Sequence, residues 1–344
     1  MLIINIVIFG YIFVAFLLIY FFNRRRKKVG TFFHRKPVLT WIAIIILGIG
    51  ILCAVDARFI EPYSIRIKHQ AIPFPTSQPI KVGLISDMQV GMHKRSEWME
   101  KVVVKTNEVQ PDIILIAGDL ISNEYGTNED ESVYLEPLKE LVGQYSVYYV
   151  LGNHDYGIGY RSGKKYGIRN PDKHDLVMAR MEKIGIPLLR NDLACFTTKG
   201  DALAPVPLPY SEPLVLNGLS KKIHFCIFGT DDIWGSTADY ERLALWNQKD
   251  PMILLSHNPD AILSWPKEIK RPDLILAGHT HGGQVYFPFY GPLGNAGVDL
   301  GRNYYRGLNY WNGIPIFVTV GIGESLGPLR FLTPPEIAVI ELTP

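Results

Sequence analysis

The chain is 344 residues long and formally near neutral, with 35 basic and 33 acidic side chains. That balance is uneven: seven Lys/Arg and no acid lie in residues 1–37, while residues 70–344 hold 25 basic against 31 acidic residues. An acidic body excludes a reader of the nucleic-acid backbone, which needs a basic stripe, and three cysteines are too few for a disulfide framework, with Cys195 and Cys226 able to pair or to stay free.

Leu2 to Phe22 is almost uninterrupted apolar sequence, with Asn5 its one strongly polar member, and Val38 to Val55 is a second such run. Each is ~20 residues, the length that crosses ~30 Å of hydrocarbon as a helix. Transmembrane helices are therefore expected at 1–22 and 38–57. A cleaved signal peptide would carry its positive charge ahead of the apolar run, and here the charge follows it. All seven early Lys/Arg sit in the 23–37 loop, which the positive-inside rule places in the cytoplasm. Arg58, Arg66 and Lys68 beyond the second run weaken that bias without reversing it. The expectation is a two-pass protein of the cell (inner) membrane, with its large domain outside and the lipid bilayer as a partner.

Residues 58–79 read as a juxtamembrane linker and first strand: Tyr63 to Lys68 alternates with period two, and Pro73, Pro75 and Pro79 break the pattern. Residues 80–344 then read as one domain. Lys81 to Ser86 is a strand delivering Asp87, a helix covers 96–110, and Asp112 to Ala117 is a strand delivering Gly118-Asp119. A polar loop at 122–132 and a helix over 133–144 precede the strand Ser146 to Leu151, which delivers Gly152-Asn-His-Asp155. Alternating strands and helices, with strands apolar throughout, predict an α/β domain whose sheet is covered on both faces.

Residues 156–175 break that rhythm with a basic, aromatic, glycine-rich stretch. It reads either as a solvated loop or as a substrate lid aiming Arg161, Lys164 and Lys165 at a phosphate. A helix at 176–185, short strands and hairpins to 230 and a helix at 239–248 follow. Met252 to Ser256 then delivers His257, and Leu274 to Gly278 delivers His279 and His281. Long loops fill 285–313, and Ile316–Val320 and Ile337–Leu342 close the domain as strands.

Asp87, Asp119, Asn153, His154, His257, His279 and His281 thus all follow strands, and ligands of open α/β sheets gather at the carboxyl ends of strands. A single histidine in such a place is commonly structural; the joint occurrence points to a site. Oxygen and imidazole together suit first-row divalent ions, and more candidate ligands than one four-coordinate ion needs point to two ions sharing a carboxylate. No Gly-x-Ser-x-Gly elbow and no Gly-Lys-Ser/Thr phosphate loop is present, which argues against serine hydrolase and P-loop chemistry.

Asp87-Met-Gln89, Gly118-Asp119, Gly152-Asn-His-Asp155, His257 and Gly278-His-Thr-His281, in that order, resemble the calcineurin-like metallophosphoesterases. The detailed sequences are similar to the bacterial membrane-linked branch that includes UDP-2,3-diacylglucosamine hydrolases. The resemblance implies a four-layer α/β/β/α sandwich and two divalent ions, Mn²⁺ first, with Zn²⁺, Fe²⁺, Ni²⁺ or Co²⁺ as alternatives. One ion would be held by Asp87, Asp119, His281 and whatever Gln89 gives; the other by Asp119, Asn153, His257 and His279. A metal-bridging hydroxide would attack phosphorus, His154 would protonate the leaving oxygen or steady the phosphoryl group, and Asp155 would orient His154. Gln89 departs from the family's histidine, so that ion would be bound more loosely or be a harder one, or water would fill the position. His93, a few residues past Asp87, reads as a surface histidine first and as a candidate for touching substrate second.

The function expected is hydrolysis of a phosphomonoester or phosphodiester, its substrate a small-molecule or lipid-linked cell-envelope phosphate ester. Pyrophosphate hydrolysis in lipid A synthesis and a non-catalytic anchored protein with a vestigial site are the alternatives.

Overall fold

The computed structural model describes residues 2–123, 126–161, 164–199, 202–206, 208, 214–216, 219–221 and 225–344. Helices α1 (Leu2–Arg26) and α3 (Pro37–Val55) form a hairpin through a turn that holds the short helix α2 (Phe32–Arg35). The Thr31 side chain caps α2 by accepting the His34 N–H, and Pro37 opens α3 where a missing N–H costs nothing. Both helices are long and apolar enough to cross a membrane, and Ile6, Phe13 and Leu52 stand 60%, 64% and 69% exposed. A core helix of a soluble protein would bury such side chains.

The chain continues past α3 through a π turn, Asp56–Ile60, and a 3-10 turn, Glu61–Tyr63. Here Arg58 Nε donates to Asn5 Oδ1 at 3.1 Å and Phe9 meets Phe59. The start of α1 and the end of α3 therefore share one end of the hairpin, and the arginine-rich turn occupies the other. The segment expected as a linker is fastened to the domain. The Glu61 carboxylate accepts the Leu332 and Thr333 N–H groups, and the Arg330 N–H donates to the Ala57 carbonyl. The first strand, β1 (Arg66–Pro73), pairs in parallel along its whole length with β18 (Glu336–Thr343).

Strands β2 (Ile80–Ile85), β3 (Ile113–Ala117) and β4 (Ser146–Val150) complete a five-stranded sheet in the order β1-β18-β2-β3-β4. In β3 the period-two side-chain alternation sorts two apolar faces. Ile114 and Ile116 pack under the outer helices, and Ile113, Leu115 and Ala117 face the second sheet. The outer layer comprises α4 (Ser96–Val109), a 3-10 helix (Glu131–Leu138) running into α5 (Lys139–Val142), and α6 (His174–Ile184). The helix expected over 133–144 is largely 3-10 because Pro137 sits inside it, removing a donor and crowding the carbonyl four residues back.

The stretch 156–175 contains a hairpin, β5 (Ile158–Arg161) with β6 (Lys164–Arg169). The second sheet has seven strands in the order β16-β17-β13-β12-β11-β7-β8. They are β7 (Asp192–Lys199), β8 (Ala202–Val206), β11 (Phe225–Gly229), β12 (Met252–Leu255), β13 (Leu274–Ala277), β16 (Gly307–Trp311) and β17 (Ile314–Val318). Two small hairpins stand apart: β9 (Leu214–Leu216) with β10 (Leu219–Lys221), and β14 (Tyr286–Phe287) with β15 (Gly291–Pro292). Val82, Leu84 and Leu115 of one sheet meet Ile227, Ile253 and Leu276 of the other in the central core. On the far face Phe228, Leu254 and Ile275 pack with Leu243, Trp246, Ile262 and Trp265. That fourth layer consists of 3-10 turns, Glu241–Leu245 and Pro259–Ser264, in place of the helix expected at 239–248. Its buried anchors Leu243 and Trp246 are spaced three apart, the 3-10 period.

Cys195 and Cys226 lie directly opposite on β7 and β11 and form a disulfide, both side chains fully buried. Removing the crosslink with Cys195→Ala and Cys226→Ala together is expected to cost on the order of 3–4 kcal/mol, the chain-entropy value for a loop of this length. Denaturant unfolding with the pair intact and replaced measures it; coincident midpoints would show that the crosslink does not hold the two strands.

Candidate metal centre

The strand-end residues predicted from sequence converge where the carboxyl ends of the two sheets meet. His257 Nδ1 bonds the Ala117 carbonyl across the sheets at 2.7 Å, and the His279 N–H donates to the Asp87 carboxylate at 3.1 Å. Ligand atoms of Asp87, Asp119 and His257 all lie within 4.8 Å of one another, and all three residues are buried.

The cluster divides into two halves that share Asp119. In one, His257 Nε2 stands 3.2 Å from Asp119 Oδ2, 3.1 Å from Asn153 Oδ1 and 3.2 Å from His279 Nδ1. In the other, His281 Nε2 is 3.5 Å from Asp87 Oδ1 and 3.4 Å from Gln89 Nε2, which is itself 3.1 Å from Asp119 Oδ2. Each imidazole commits its other nitrogen to a backbone carbonyl: His257 to Ala117, His279 to Ala296 and His281 to Gly323. Such a bond fixes the tautomer and turns the remaining lone pair inward, as in metal-binding histidines.

The donor set fits divalent cations. Asn153 Oδ1, His279 Nδ1 and His257 Nε2 crowd within hydrogen-bond distance with too few protons among them, a ring of lone pairs that a cation satisfies. Gln89 Oε1 is buried without a partner, while its Nε2 faces Asp119 and His281. Turning the amide over would put an oxygen ligand where the amine now points. Five of these residues hold positive φ: Asp87 at 51°, Gln89 at 45°, Asp119 at 52°, His279 at 72° and His281 at 51°. Non-glycine residues adopt this region rarely, and such strain clusters at functional sites. Gly118, at φ +79°, is required because a Cβ there would lie 2.7 Å from His257 Nδ1.

Charge within the cluster is balanced without ions only by protons. Burial alone would lower His257, but Asp119 beside it, then Asp87 and Asp232, raise it to about 10. Burial pushes Asp87 up to about 6, with Asp119 adding to the rise. Burial works against Asp119, yet His257 and His154 hold it well below the carboxylate range. Burial lowers His279 to about 3 and His281 well below its usual value, with the neighbouring cations His257 and Arg330 respectively contributing, so both are neutral and ready to ligate.

Stability associated with a raised pKa is present below the unfolded value and is lost as pH rises through the folded one. In the metal-free protein the contribution of Asp87 should therefore be lost as it ionises between about 4 and 6, where the lowered His279 and His281 act in the opposite sense, and that of His257 as it deprotonates toward about 10. Metal displaces the His257 proton, so the gain in Tm from added Mn²⁺ should grow from pH 6 to pH 8. Thermal unfolding with Mn²⁺ and with EDTA across that range checks it; a pH-independent gain would exclude this proton exchange.

His154 lines the same cavity, of about 430 Å³. Its N–H donates to Asp119 Oδ1 at 2.8 Å, and its ring Nδ1 bonds the Ser122 carbonyl at 2.6 Å. Asp155 departs from expectation: its carboxylate accepts the backbone N–H groups of Leu120, Ile121 and Gly152. It therefore acts on His154 through the 120–122 backbone that presents the Ser122 carbonyl. A carboxylate so placed braces the loop and is not itself in contact with the imidazole's Nδ1.

His93 also departs. It is half-buried beside Arg58, which together with burial lowers its pKa, and it is not among the described residues lining the cavity. Arg161 and Lys164 face each other in the backbone register of the β5–β6 hairpin. Their side chains and that of Lys165 lie outside the described residues. The base of that hairpin, Gly157 to Gly159, does line the cavity.

Sequence reading missed three contributors. Trp234 sets its ring edge-on to His279, centroids 4.6 Å apart. Arg330, fully buried, donates to Glu324 and to the Val320, Gly321, Gly323 and Thr333 carbonyls. Lys94 Nζ meets Glu324 at 2.8 Å and the Pro62 carbonyl at 3.0 Å. This network clamps the loop whose Gly323 carbonyl orients His281 and fastens it to the end of α3. No local motif marks an isolated arginine for such a part; its only signal is a basic residue inside an otherwise apolar, proline-flanked stretch.

The sequence model of the calcineurin-like phosphoesterase family matches residues 80–283. This chain belongs to that family. It is 30% identical over 293 residues to an uncharacterized metallophosphoesterase, YkuE, of Bacillus subtilis, covering 83% of this chain and 88% of that one. It is 26% identical over 281 residues to phosphodiesterase YaeI of Escherichia coli, with 80% and 87% covered. A Helicobacter pylori metallophosphoesterase, also uncharacterized, is 30% identical over 267 residues, covering 77% of this chain and 60% of that one. The protein is accordingly a metal-dependent phosphoester hydrolase of α/β/β/α architecture.

Proposed function

We propose that this protein is a membrane-anchored phosphoesterase that hydrolyses a lipid-linked or cell-envelope phosphate ester outside the cytoplasm, using two divalent ions. The observation that carries the proposal is the paired cluster around Asp119, with inward lone pairs from His257, His279, Asn153 and His281 and backbone bonds fixing each imidazole. In this reading Asp119, Asn153, His257 and His279 hold one ion. Asp87, Asp119, His281 and the Gln89 amide oxygen hold the other. Bound there, two ions supply a nucleophile at neutral pH and stabilise the attacking and leaving oxygens of an in-line displacement. The oxygen-rich half with Gln89 favours Mn²⁺.

His154 faces the same space and can deliver a proton to the leaving oxygen. Similarity to the Escherichia coli phosphodiesterase favours a diester. The two apolar helices favour a lipid-linked substrate. The arginine-rich turn at the end of the hairpin remote from the domain favours an outward domain, and so does the buried disulfide, which needs an oxidising compartment. The same disulfide weighs against cleavage of a lipid A precursor, which is made in the cytoplasm.

The test is hydrolysis of bis(p-nitrophenyl) phosphate by full-length protein in detergent with added Mn²⁺, alongside metal analysis. Two ions per chain and Mn²⁺-dependent turnover are expected. A protein that retains no metal and turns nothing over would be a vestigial member. A reporter fused after Pro344 reads the side of the membrane.

A further inference from the structure

The cavity that holds the cluster is lined by apolar side chains as well as by the candidate ligands. The apolar members are chiefly Leu293, Leu326 and Leu329 from the domain and Ile4 from the first turns of α1. Ile4 belongs to the same helix whose Ile6, Val7 and Phe9 stand 60%, 63% and 54% exposed, so one apolar helix contributes both to the cavity lining and to an exposed apolar surface. Leu326 is 63% and Leu293 51% exposed, a cost in water that lipid contact removes.

The β14–β15 hairpin next to Leu293 carries a second apolar feature. Phe287, Phe289 and Tyr290 are 42%, 109% and 64% exposed, while Arg306 stacks on Tyr286 and Arg302 approaches Tyr290. Exposed aromatics flanked by cations suit the headgroup layer of a bilayer. Ile4 at the start of α1 and Leu293, next to this hairpin, both line the cavity.

We infer that the site takes a membrane-resident phosphate ester laterally, with its alkyl chain lying between Ile4 of α1 and Leu326 and Leu329, and its phosphate reaching the Asp119 cluster. The first apolar helix is then part of the substrate site as well as an anchor. This inference rests on the phosphoesterase reading above and adds a chain subsite to it.

A homologous series of alkyl p-nitrophenyl phosphodiesters, from methyl through hexyl to dodecyl, tests it on the full-length protein in nanodiscs with Mn²⁺. Burying the chain is expected to raise kcat/KM by up to about fourfold per methylene, mostly through KM, until the subsite is filled. Leu326→Ser combined with Leu329→Ser should flatten the series, lowering the dodecyl-to-methyl ratio at least about tenfold. Leu263→Ser, 49% exposed but not in the cavity lining, should keep the wild-type slope and controls for general loss of apolar surface. A flat series in the wild type, or a slope that survives the double substitution, overturns the chain subsite while methyl-ester turnover leaves the metal reading standing. Absence of turnover across the whole series overturns both.

Discussion

Asp119→Asn is expected to lower metal-dependent kcat/KM by more than ~100-fold, beyond the range for residues that only brace a ligand. The substitution keeps the side chain's size and one oxygen, so it removes charge and leaves packing. Asp119 is the carboxylate both halves of the cluster share: Oδ2 faces His257 Nε2 at 3.2 Å and Gln89 Nε2 at 3.1 Å, while Oδ1 accepts the His154 N–H at 2.8 Å. Without it neither half retains its bridging anion, and the attraction that raises His257 is lost. Metal analysis after gel filtration should fall from two ions per chain to one or none, with circular dichroism unchanged. A variant that keeps two tightly held ions would remove Asp119 from the bridging position.

The cluster was legible from sequence for a simple reason. Each of Asp87, Asp119, His257 and His279 stands one or two residues beyond an apolar strand, and strand periodicity alone brings those ends to one edge. The apolar α1 and α3 were legible by length. What failed to show depended on contacts between distant parts of the chain. Asp155 is adjacent to His154 in sequence, so the pair suggested a direct contact, yet the turn at 152–157 points the carboxylate to backbone donors of another loop. Arg330 and Glu324 carry no periodic signal, because their partners are carbonyls of the 320–324 loop and Lys94. The cysteine pairing needed the β7–β11 register. The 3-10 character of the outer layers followed from Pro137 and from a three-residue burial spacing that a helical reading absorbs just as well. Ile4 could be read only as lipid-facing; that it also borders the cavity depends on how Glu61 and Arg330 dock the end of α3 onto the domain.

His154→Ala should separate proton delivery from metal binding. The Ser122 carbonyl occupies Nδ1 at 2.6 Å, so Nε2 is the ring nitrogen that can carry a proton to a leaving oxygen. General acid catalysis contributes typically ~10²–10⁴-fold, and its worth scales with how badly the leaving group needs a proton. The loss should therefore approach that range for a dialkyl phosphodiester, whose alkoxide is a poor leaving group. It should be much smaller for bis(p-nitrophenyl) phosphate, whose phenolate leaves unaided. Metal content should stay at two ions, because the ring of His154 is not among the inward-facing donors. Equal losses on both substrates would make His154 a stabiliser of phosphoryl charge, since that part is played whatever the leaving group. Wild-type rates on both would leave the residue with a structural part alone, its backbone N–H still holding Asp119 Oδ1 in place.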